Sequence, residues 1–324
     1  MKILVAGGAG YVGTALVTSL IERGHAVTVV DLLWFGNHLP VEASVQQRDL
    51  MGLSVEELRS FDVVVFLAGL SNDPMADFSP ARNFVENAAA PGFLCYSARQ
   101  AGVRRFVYGS SCSVYGFTGG EPQDENGSTI SEYPYGISKL QGENACRGLA
   151  NESFSVIALR KGTVCGVGPR MRFDLLINTM FKTALVEGVI HVNNPDIWRP
   201  VLAIEDAVQA YVKAIEAPWP VSGVFNLASA NLTVGSAAEQ VMFGLKKHLN
   251  RNIHLDLHHR HDVRNYRVDW SKIERVLGYE ARHSVDSIVA SLCQHYSGNV
   301  NFENDLYYNI RMFRHVEGRT AEAS

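Results

Sequence analysis

Tyr135 and Lys139 stand four residues apart in Tyr135-Gly136-Ile137-Ser138-Lys139, a spacing that sets both on one face of a helix, one turn apart. An ammonium beside a phenol favours the ionised form, and a phenolate is a usable base for an alcohol proton. A solvated Tyr and Lys on a surface helix share this spacing, so the pair needs company. Company comes from Gly109-Ser110-Ser111-Cys112-Ser113-Val114-Tyr115-Gly116, directly after the apolar residues 106–108. A hydroxyl at the carboxyl end of a strand faces the ligand crevice of an open α/β sheet.

A second chemistry is written in Gly7-Gly8-Ala9-Gly10-Tyr11-Val12-Gly13, where Gly7, Gly10 and Gly13 give the spacing G-x-x-G-x-x-G. Glycine lets such a turn close and lets backbone N–H groups approach a pyrophosphate, while the next helix offers its positive N-terminal end. The competing reading is a glycine-rich turn without a ligand, which a flanking strand and helix count against. Asp31 ends the next apolar run. An acid there hydrogen-bonds the adenosine ribose diol and repels a 2′-phosphate, which favours NAD over NADP. Asp49 and Leu50 follow a third strand, where they would flank adenine; Asp49 serves equally as a turn residue.

These residues need a scaffold, and the apolar pattern supplies it. Residues 3–6 run into the glycines, Val12, Leu16 and Leu20 follow at helical spacing, and residues 26–30 close at Asp31. This is a β-α-β unit of the size a dinucleotide fold requires. Residues 61–68, 106–108 and 156–160 read as further buried strands, with a helix over 87–100. Continuous apolar strands alternating with helices predict an α/β fold, a doubly wound parallel sheet covered on both faces. Past about residue 166 the regularity breaks at Pro169, Arg170 and Arg172, and helical stretches recur up to Leu185 and over 204–215. We assign 1–166 to a Rossmann-type NAD-binding domain, to which a later segment, about 189–228, returns. Residues 167–324 form mainly a smaller, interleaved substrate lobe.

Composition narrows the function classes. The chain has 324 residues, 47% of them hydrophobic, and a net charge of -4 without a long basic run, which argues against a nucleic-acid partner. Five cysteines, odd in number and never in a C-x-x-C pair, argue against a disulfide framework or a structural zinc and fit a reducing, cytoplasmic setting. The apolar run 63–70 is far too short to cross a bilayer, and glycines interrupt the apolar opening residues where a signal peptide would continue. The expectation is no membrane association.

Together these stretches resemble the extended short-chain dehydrogenase/reductases, and within them the NAD-dependent nucleotide-sugar epimerase/dehydratase branch. The resemblance extends to Phe66-Leu67-Ala68-Gly69, to Asn87, to Leu159-Arg160, to Trp198-Arg199-Pro200-Val201 before Glu205-Asp206, and to the stretch from Asp262 to Lys272. It implies that Ser111, four residues before Tyr115, is catalytic, that Tyr135 is the acid/base, and that Lys139 holds the nicotinamide ribose and lowers the Tyr135 pKa. Leu67, Ala68, Gly69 and Asn87 then join Gly7, Gly10, Tyr11 and Val12 around NAD. The implied substrate is a nucleoside-diphosphate sugar oxidised at C4 of its hexose. Arg199, Arg260 and Arg264, the last two flanking Asp262, are candidates for the diphosphate, since a planar guanidinium fork pairs with phosphate oxygens. Structural ion pairs explain any one of them as well. Thr163 and Asn178, with Ser111, Cys112 and Ser113, complete the candidate substrate contacts. The resemblance also implies a homodimer through paired helices, 87–100 and the one bearing Tyr135.

Departures from the branch refine the expectation. Its dehydratases follow the catalytic hydroxyl residue with Asp-Glu, the acid and base of water elimination, where this chain has Cys112 and Ser113. An epimerase needs neither carboxylate and is the leading expectation. A dehydrogenase that releases the keto sugar, an atypical dehydratase in which the Cys112 thiol acts as acid, and a non-catalytic dinucleotide sensor are the alternatives. The better reading of Cys112 is a packed apolar residue, because free Cys packs readily as a small hydrophobe. Ser71 is short where some epimerases carry Lys. His254, Asp256 and His258 alternate with Ile253, Leu255 and Leu257 and so share one strand face. They resemble metal ligands, but a solvated strand face is the simpler reading and the chemistry above requires no metal.

Overall fold

A computed structural model of the protein describes residues 1–259 and 264–318. The first half of the chain forms strands β1 (Lys2–Ala6), β2 (Ala26–Asp31), β3 (Ser44–Gln47), β4 (Val63–Phe66) and β5 (Arg105–Ser111). Then come β6 (Phe117–Gln123), β7 (Ser155–Lys161), β8 (Thr163–Cys165), β9 (Val189–Asn193) and β10 (Trp198–Ala203). The last strands are β11 (Gly223–Leu227), β12 (Ala230–Thr233), β13 (His254–His258) and β14 (Asn265–Val268). Between them lie α1 (Tyr11–Glu22), α2 (Val55–Leu58), α3 (Asp73–Phe78), α4 (Pro80–Phe84), α5 (Ala90–Gln100) and α6 (Pro134–Arg147). The later helices are α7 (Leu176–Glu187), α8 (Ile204–Glu216), α9 (Val234–Leu249), α10 (Ser271–Leu277), α11 (Val285–Tyr296) and α12 (Asn309–Val316).

Seven strands build one sheet in the order β11-β7-β5-β4-β1-β2-β3, every pair parallel. Ile3, Leu4, Val5 and Ala6 in β1 and Val63 to Phe66 in β4 are wholly buried, because helices cover both faces. Ile3 and Val5 pack with α1 and α8 residues such as Leu16 and Tyr211, while Leu4 and Ala6 pack with Leu58, Leu94 and Cys146. The order reverses beside β1, and the carboxyl ends of β1 and β4 open there into a crevice, the usual ligand position in such sheets.

The second lobe adds the sheet β12-β10-β8 and two strand pairs, β13-β9 and β14-β6. Phe173 is its aromatic anchor, edge-on to Tyr296, Phe302 and Tyr307 at centroid distances of 5.1, 4.9 and 5.1 Å. The segment 189–228 divides between the lobes. Its α8 and β11 pack on or extend the large sheet, whereas β9 and β10 pair with β13, β8 and β12. Sequence reading gave no sign of β6: Phe117–Gln123 is FTGGEPQ and mostly exposed, so its two glycines and proline hide a strand whose register only β14 sets. The expected helix over 87–100 begins earlier, running on from α4 through a π-helical turn, Val85–Ala89, that carries Asn87.

Candidate active site

A cavity of about 520 Å³ fills the crevice, and its floor is the glycine turn. Gly7 has φ +80°, and a Cβ there would meet the Ala68 backbone nitrogen at 2.3 Å, so only glycine lets this turn pass the strand end of β4. Gly10 caps α1 without a side chain, leaving the N–H groups of the first turn open to the cavity. Asp31 accepts from the Ala9 and Leu33 N–H groups at 3.0 and 2.8 Å. Burial raises its carboxyl pKa against the pull of those bonds. Gly7, Gly10, Tyr11, Val12, Asp31, Asp49, Leu50, Leu67, Ala68, Gly69 and Asn87 all lie on the cavity wall. The Asn87 amide donates to Leu70 O and Asn83 Oδ1, both at 2.8 Å, and so braces the loop after β4.

The reacting groups stand on the next wall. Ser111 ends β5 in extended conformation, and its Oγ accepts from Ser113 Oγ at 2.8 Å and from Ser113 N at 3.2 Å. Its proton is therefore free to point away, into the cavity. Tyr135 enters on the first turn of α6 behind Pro134, whose missing N–H costs nothing at that position. Burial and the charge of Asp73 raise the Tyr135 phenol to about 12, opposed by a hydrogen bond with Ser111 and by Arg172. The Lys139 ammonium lies 4.4 Å from the centre of the Tyr108 ring. Burial, reinforced by Lys161, drives its pKa well below the ordinary lysine value. Lys161 is itself lowered to about 8 by burial.

A charged network pins α6 to the sheet underneath. Arg160 on β7 forks onto Glu143 of α6 (Nε–Oε2 2.9 Å, Nη2–Oε1 2.7 Å), Ser110 Oγ donates to the same carboxylate at 2.7 Å, and Arg160 Nη1 donates to Tyr115 Oη at 2.8 Å. Glu143 is fully buried and Arg160 almost so. Burial alone would weaken the guanidinium's hold on its proton, but Glu143 and Tyr115 more than offset it and the net shift is upward.

The expected substrate contacts divide. Ser111, Ser113, Thr163, Arg199 and Arg264 line the cavity. Cys112 does not: it is wholly buried, its Sγ donates to Arg160 O at 3.0 Å, and burial raises the thiol to about 12. Ser111 and Ser113 line the cavity, and Cys112 between them turns to the opposite side, into an apolar cluster with Val114 and Tyr115. Asn178 is not a wall residue either. It sits behind Tyr11, with Nδ2 3.3 Å from Tyr11 Oη and Oδ1 accepting from Gly166 N at 2.9 Å, so it positions the wall from outside. Arg260 and Asp262 lie outside the described residues.

Several wall residues carried no sequence signal. Asp73 from the start of α3, Tyr266 from β14, Asn309 from the start of α12, and Arg170, Arg172 and Asp174 from the loop between β8 and α7 converge only in the fold. Asn309, near the end of the chain, donates to Ser71 Oγ at 2.6 Å and accepts from Arg170 Nη2 at 2.5 Å. Phe313, buried between Trp34 and Phe78 at 5.8 Å from each, fastens α12 over the loop after β2. Away from the cavity and among the described residues, the trio of possible metal ligands is His191, Asp256 and His258, not the set with His254, because β9 places His191 opposite Asp256. Asp256 already accepts from both rings, at 3.0 and 2.8 Å, and all three side chains are exposed.

Comparison with known proteins agrees with this geometry. The family model described as NAD dependent epimerase/dehydratase family matches residues 3–228. The UDP-glucose 4-epimerase of Bacillus subtilis (strain 168) is 24% identical over 339 residues, spanning 93% of this chain and 98% of that one. The UDP-glucose 4-epimerase of Erwinia amylovora is 34% identical over 178 residues, 49% of this chain and 52% of its own. The solved structure of MoeE5 in complex with UDP-glucose and NAD is 26% identical, covers 98% of this chain and 100% of that one, and superposes with a TM-score of 0.77. With the glycine turn, Asp31, Ser111, Tyr135 and Lys139 gathered on one cavity, the chain belongs to the NAD-dependent epimerase/dehydratase family, enzymes of the extended short-chain dehydrogenase/reductase type.

Proposed function

We propose that the protein is a sugar-nucleotide 4-epimerase: it oxidises a nucleoside-diphosphate hexose at C4, lets the 4-keto sugar turn over, and reduces it on its other face. The observation that carries this reading is the placement of Ser111 and Tyr135 on the wall of a cavity that also presents Arg199 and Arg264, with Cys112 turned out of it. Full-length likeness to a UDP-glucose 4-epimerase and the UDP-glucose in the MoeE5 complex support the substrate class.

NAD supplies the hydride acceptor when bound, held by the glycine turn, Asp31, Asn87 and the 67–69 loop. The chain's own side chains do the rest. Tyr135 Oη takes the C4 hydroxyl proton and returns it, Ser111 Oγ shares the hydrogen bond to that oxygen, and the two arginine forks orient the diphosphate. Because the free chain holds Tyr135 as a phenol, the loaded site must lower its pKa. The ascending limb of the rate profile is then expected below the free chain's value. A dehydrogenase uses the same side chains, and Ser71, short and already bonded to Asn309, is the feature that favours it.

The deciding assay incubates the protein with NAD and UDP-, GDP-, dTDP- and CDP-hexoses, with the sugar identified by NMR. An epimer without net cofactor reduction is expected; a released keto sugar with reduced cofactor makes the enzyme a dehydrogenase, and a dehydrated product overturns both. Tyr135→Phe is expected to keep NAD binding and lose about 10²- to 10⁴-fold in turnover; unchanged turnover would sink the mechanism. We further propose a homodimer through α5 and α6, where Phe93 and Tyr96 lie exposed. The cytoplasmic setting rests on five cysteines that are all free and buried. Among the described residues no helix is long and apolar enough to cross a membrane.

A further inference from the structure

Two carboxylates of the cavity wall, Asp73 and Asp174, pair with arginines of the same wall, and they differ in one respect. Asp174 is closed on both oxygens: Arg172 forks onto it at 2.8 and 3.0 Å, and Asn309 N donates to Oδ2 at 3.1 Å. Asp73 is closed on one oxygen only. Its Oδ2 accepts from Arg264 Nη1 at 2.6 Å, while Oδ1 is buried and has no hydrogen-bond partner. A buried acceptor left unpaired costs free energy that a donor on a ligand recovers. Asp73 opens α3, which packs against α6, and its charge reaches Tyr135. The guanidinium of Arg264 lies 5.1 Å from the Tyr133 ring at the start of α6, which fixes the carboxylate on the side of the reacting phenol.

We propose that Asp73 is a specificity-determining residue for the sugar: its Oδ1 accepts a hydrogen bond from a hydroxyl of a neutral hexose, and its charge turns away a uronic acid. The inference rests on the sugar-nucleotide reading and narrows it to neutral sugars. It also couples substrate choice to proton transfer. Groups facing Asp73 are Arg264 and Arg199, which favour its anion, and Asp77, which opposes it; burial is the largest influence and raises its pKa. Tyr135 in turn faces Asp73, Ser111 and Arg172. The Asp73 anion holds the phenol protonated, so an Asp73 that is hydrogen-bonded and shielded by a sugar hydroxyl releases part of that hold.

The test is calorimetry on NAD-loaded protein with three ligands of one nucleoside: the diphosphate alone, its neutral hexose conjugate and its uronic acid conjugate. The nucleoside is the one that wild type accepts among uridine, guanosine, thymidine and cytidine. Wild type is expected to favour the neutral conjugate over the uronate by about tenfold or more, the scale of one charge-assisted hydrogen bond. Asp73→Asn keeps the shape and one acceptor. It should weaken the neutral conjugate about fivefold to tenfold, strengthen the uronate, and leave the bare diphosphate within about twofold. It should also move the Tyr135 limb of kcat/KM to lower pH, which loss of a structural contact would not do.

An unchanged preference in Asp73→Asn, or equal losses for all three ligands, overturns the proposal while leaving the sugar-nucleotide reading in place. Wild type that accepts none of the four nucleosides overturns both. Should the variant not fold, wild type decides alone: a uronate bound as tightly as the neutral conjugate refutes the assignment.

Discussion

Glu143→Gln tests whether the helix that carries Tyr135 and Lys139 is pinned by charge. Three donors converge on the Glu143 carboxylate, two from Arg160 and one from Ser110, all between 2.7 and 2.9 Å. Glutamine offers one acceptor and turns an NH₂ group toward at least one of those donors, leaving a guanidinium buried without its counter-charge. Removing one partner of a buried ion pair costs about 3 to 5 kcal/mol. Given about 2.1 cal/mol/K of unfolding entropy per residue, that loss lowers the melting midpoint of this chain by about 4 to 7 °C. Urea unfolding at equilibrium gives the free energy directly, and a scan gives the midpoint. The double variant Glu143→Met, Arg160→Met removes both charges and should recover most of the loss, because neither charge is then stranded. A single-variant cost under about 1 kcal/mol would refute the reasoning, since only an ion pair open to water is that cheap to break.

Two further outcomes follow from the same physics. The folded chain holds Lys161 near pKa 8, below its unfolded value, so folding disfavours the ammonium; stability rises between pH 8 and the unfolded value near 10.5 as the unfolded chain keeps the proton longer. Lys161→Met should abolish that part of the rise and add up to about 3 kcal/mol at pH 7; identical stability-versus-pH curves for the two proteins would contradict it. Tyr96→Arg places a charge on the exposed face of α5 and should convert a sedimenting dimer to monomer with the far-ultraviolet circular dichroism unchanged and the melting midpoint no longer dependent on protein concentration, whereas a wild type that sediments as a monomer removes the proposed interface.

The short-range motifs were legible because their geometry is local. A glycine turn between a strand and a helix, an acid at a strand end, and a Tyr four residues before a Lys need no distant partner to take their places, and Gly7, Asp31, Ser111 and Tyr135 all reach the cavity. Helical spacing gives a face but not a side-chain direction. It put Lys139 on the right face and said nothing of Tyr108, whose ring the ammonium approaches. Cys112, a candidate by resemblance alone, lies between Ser111 and Ser113 on the side turned away from the cavity. Asn178 was assigned to the substrate on a likeness of position, and the fold spends its amide on Tyr11 and Gly166. Asp73, Arg170 and Asn309 were illegible in a different way. Arg170 and Asn309 are 139 residues apart in sequence and hydrogen-bonded in space, brought together by Phe173 packing on Phe302 and Tyr307 and by Phe313 packing on Trp34 and Phe78.

The absence of the Asp-Glu pair is therefore a property of the fold as well as of the letters. Position 112 packs in a cluster with Val114, Tyr115, Ala228, Tyr266 and Val268. A carboxylate there would be buried among apolar groups without access to a sugar. The hydroxyl of Ser113, the neighbour that does face the cavity, is spent on Ser111. Elimination of water needs an acid and a base set on C5 and C6, and Asp73 is one carboxylate, already half engaged by Arg264. An epimerase asks less: one proton-transfer group on the C4 oxygen, a hydroxyl to share it, and room for a flat keto sugar to turn. In the mechanism we propose, Tyr135 and Ser111 supply the first two, and the cavity that Asn309 of α12 lines supplies the third.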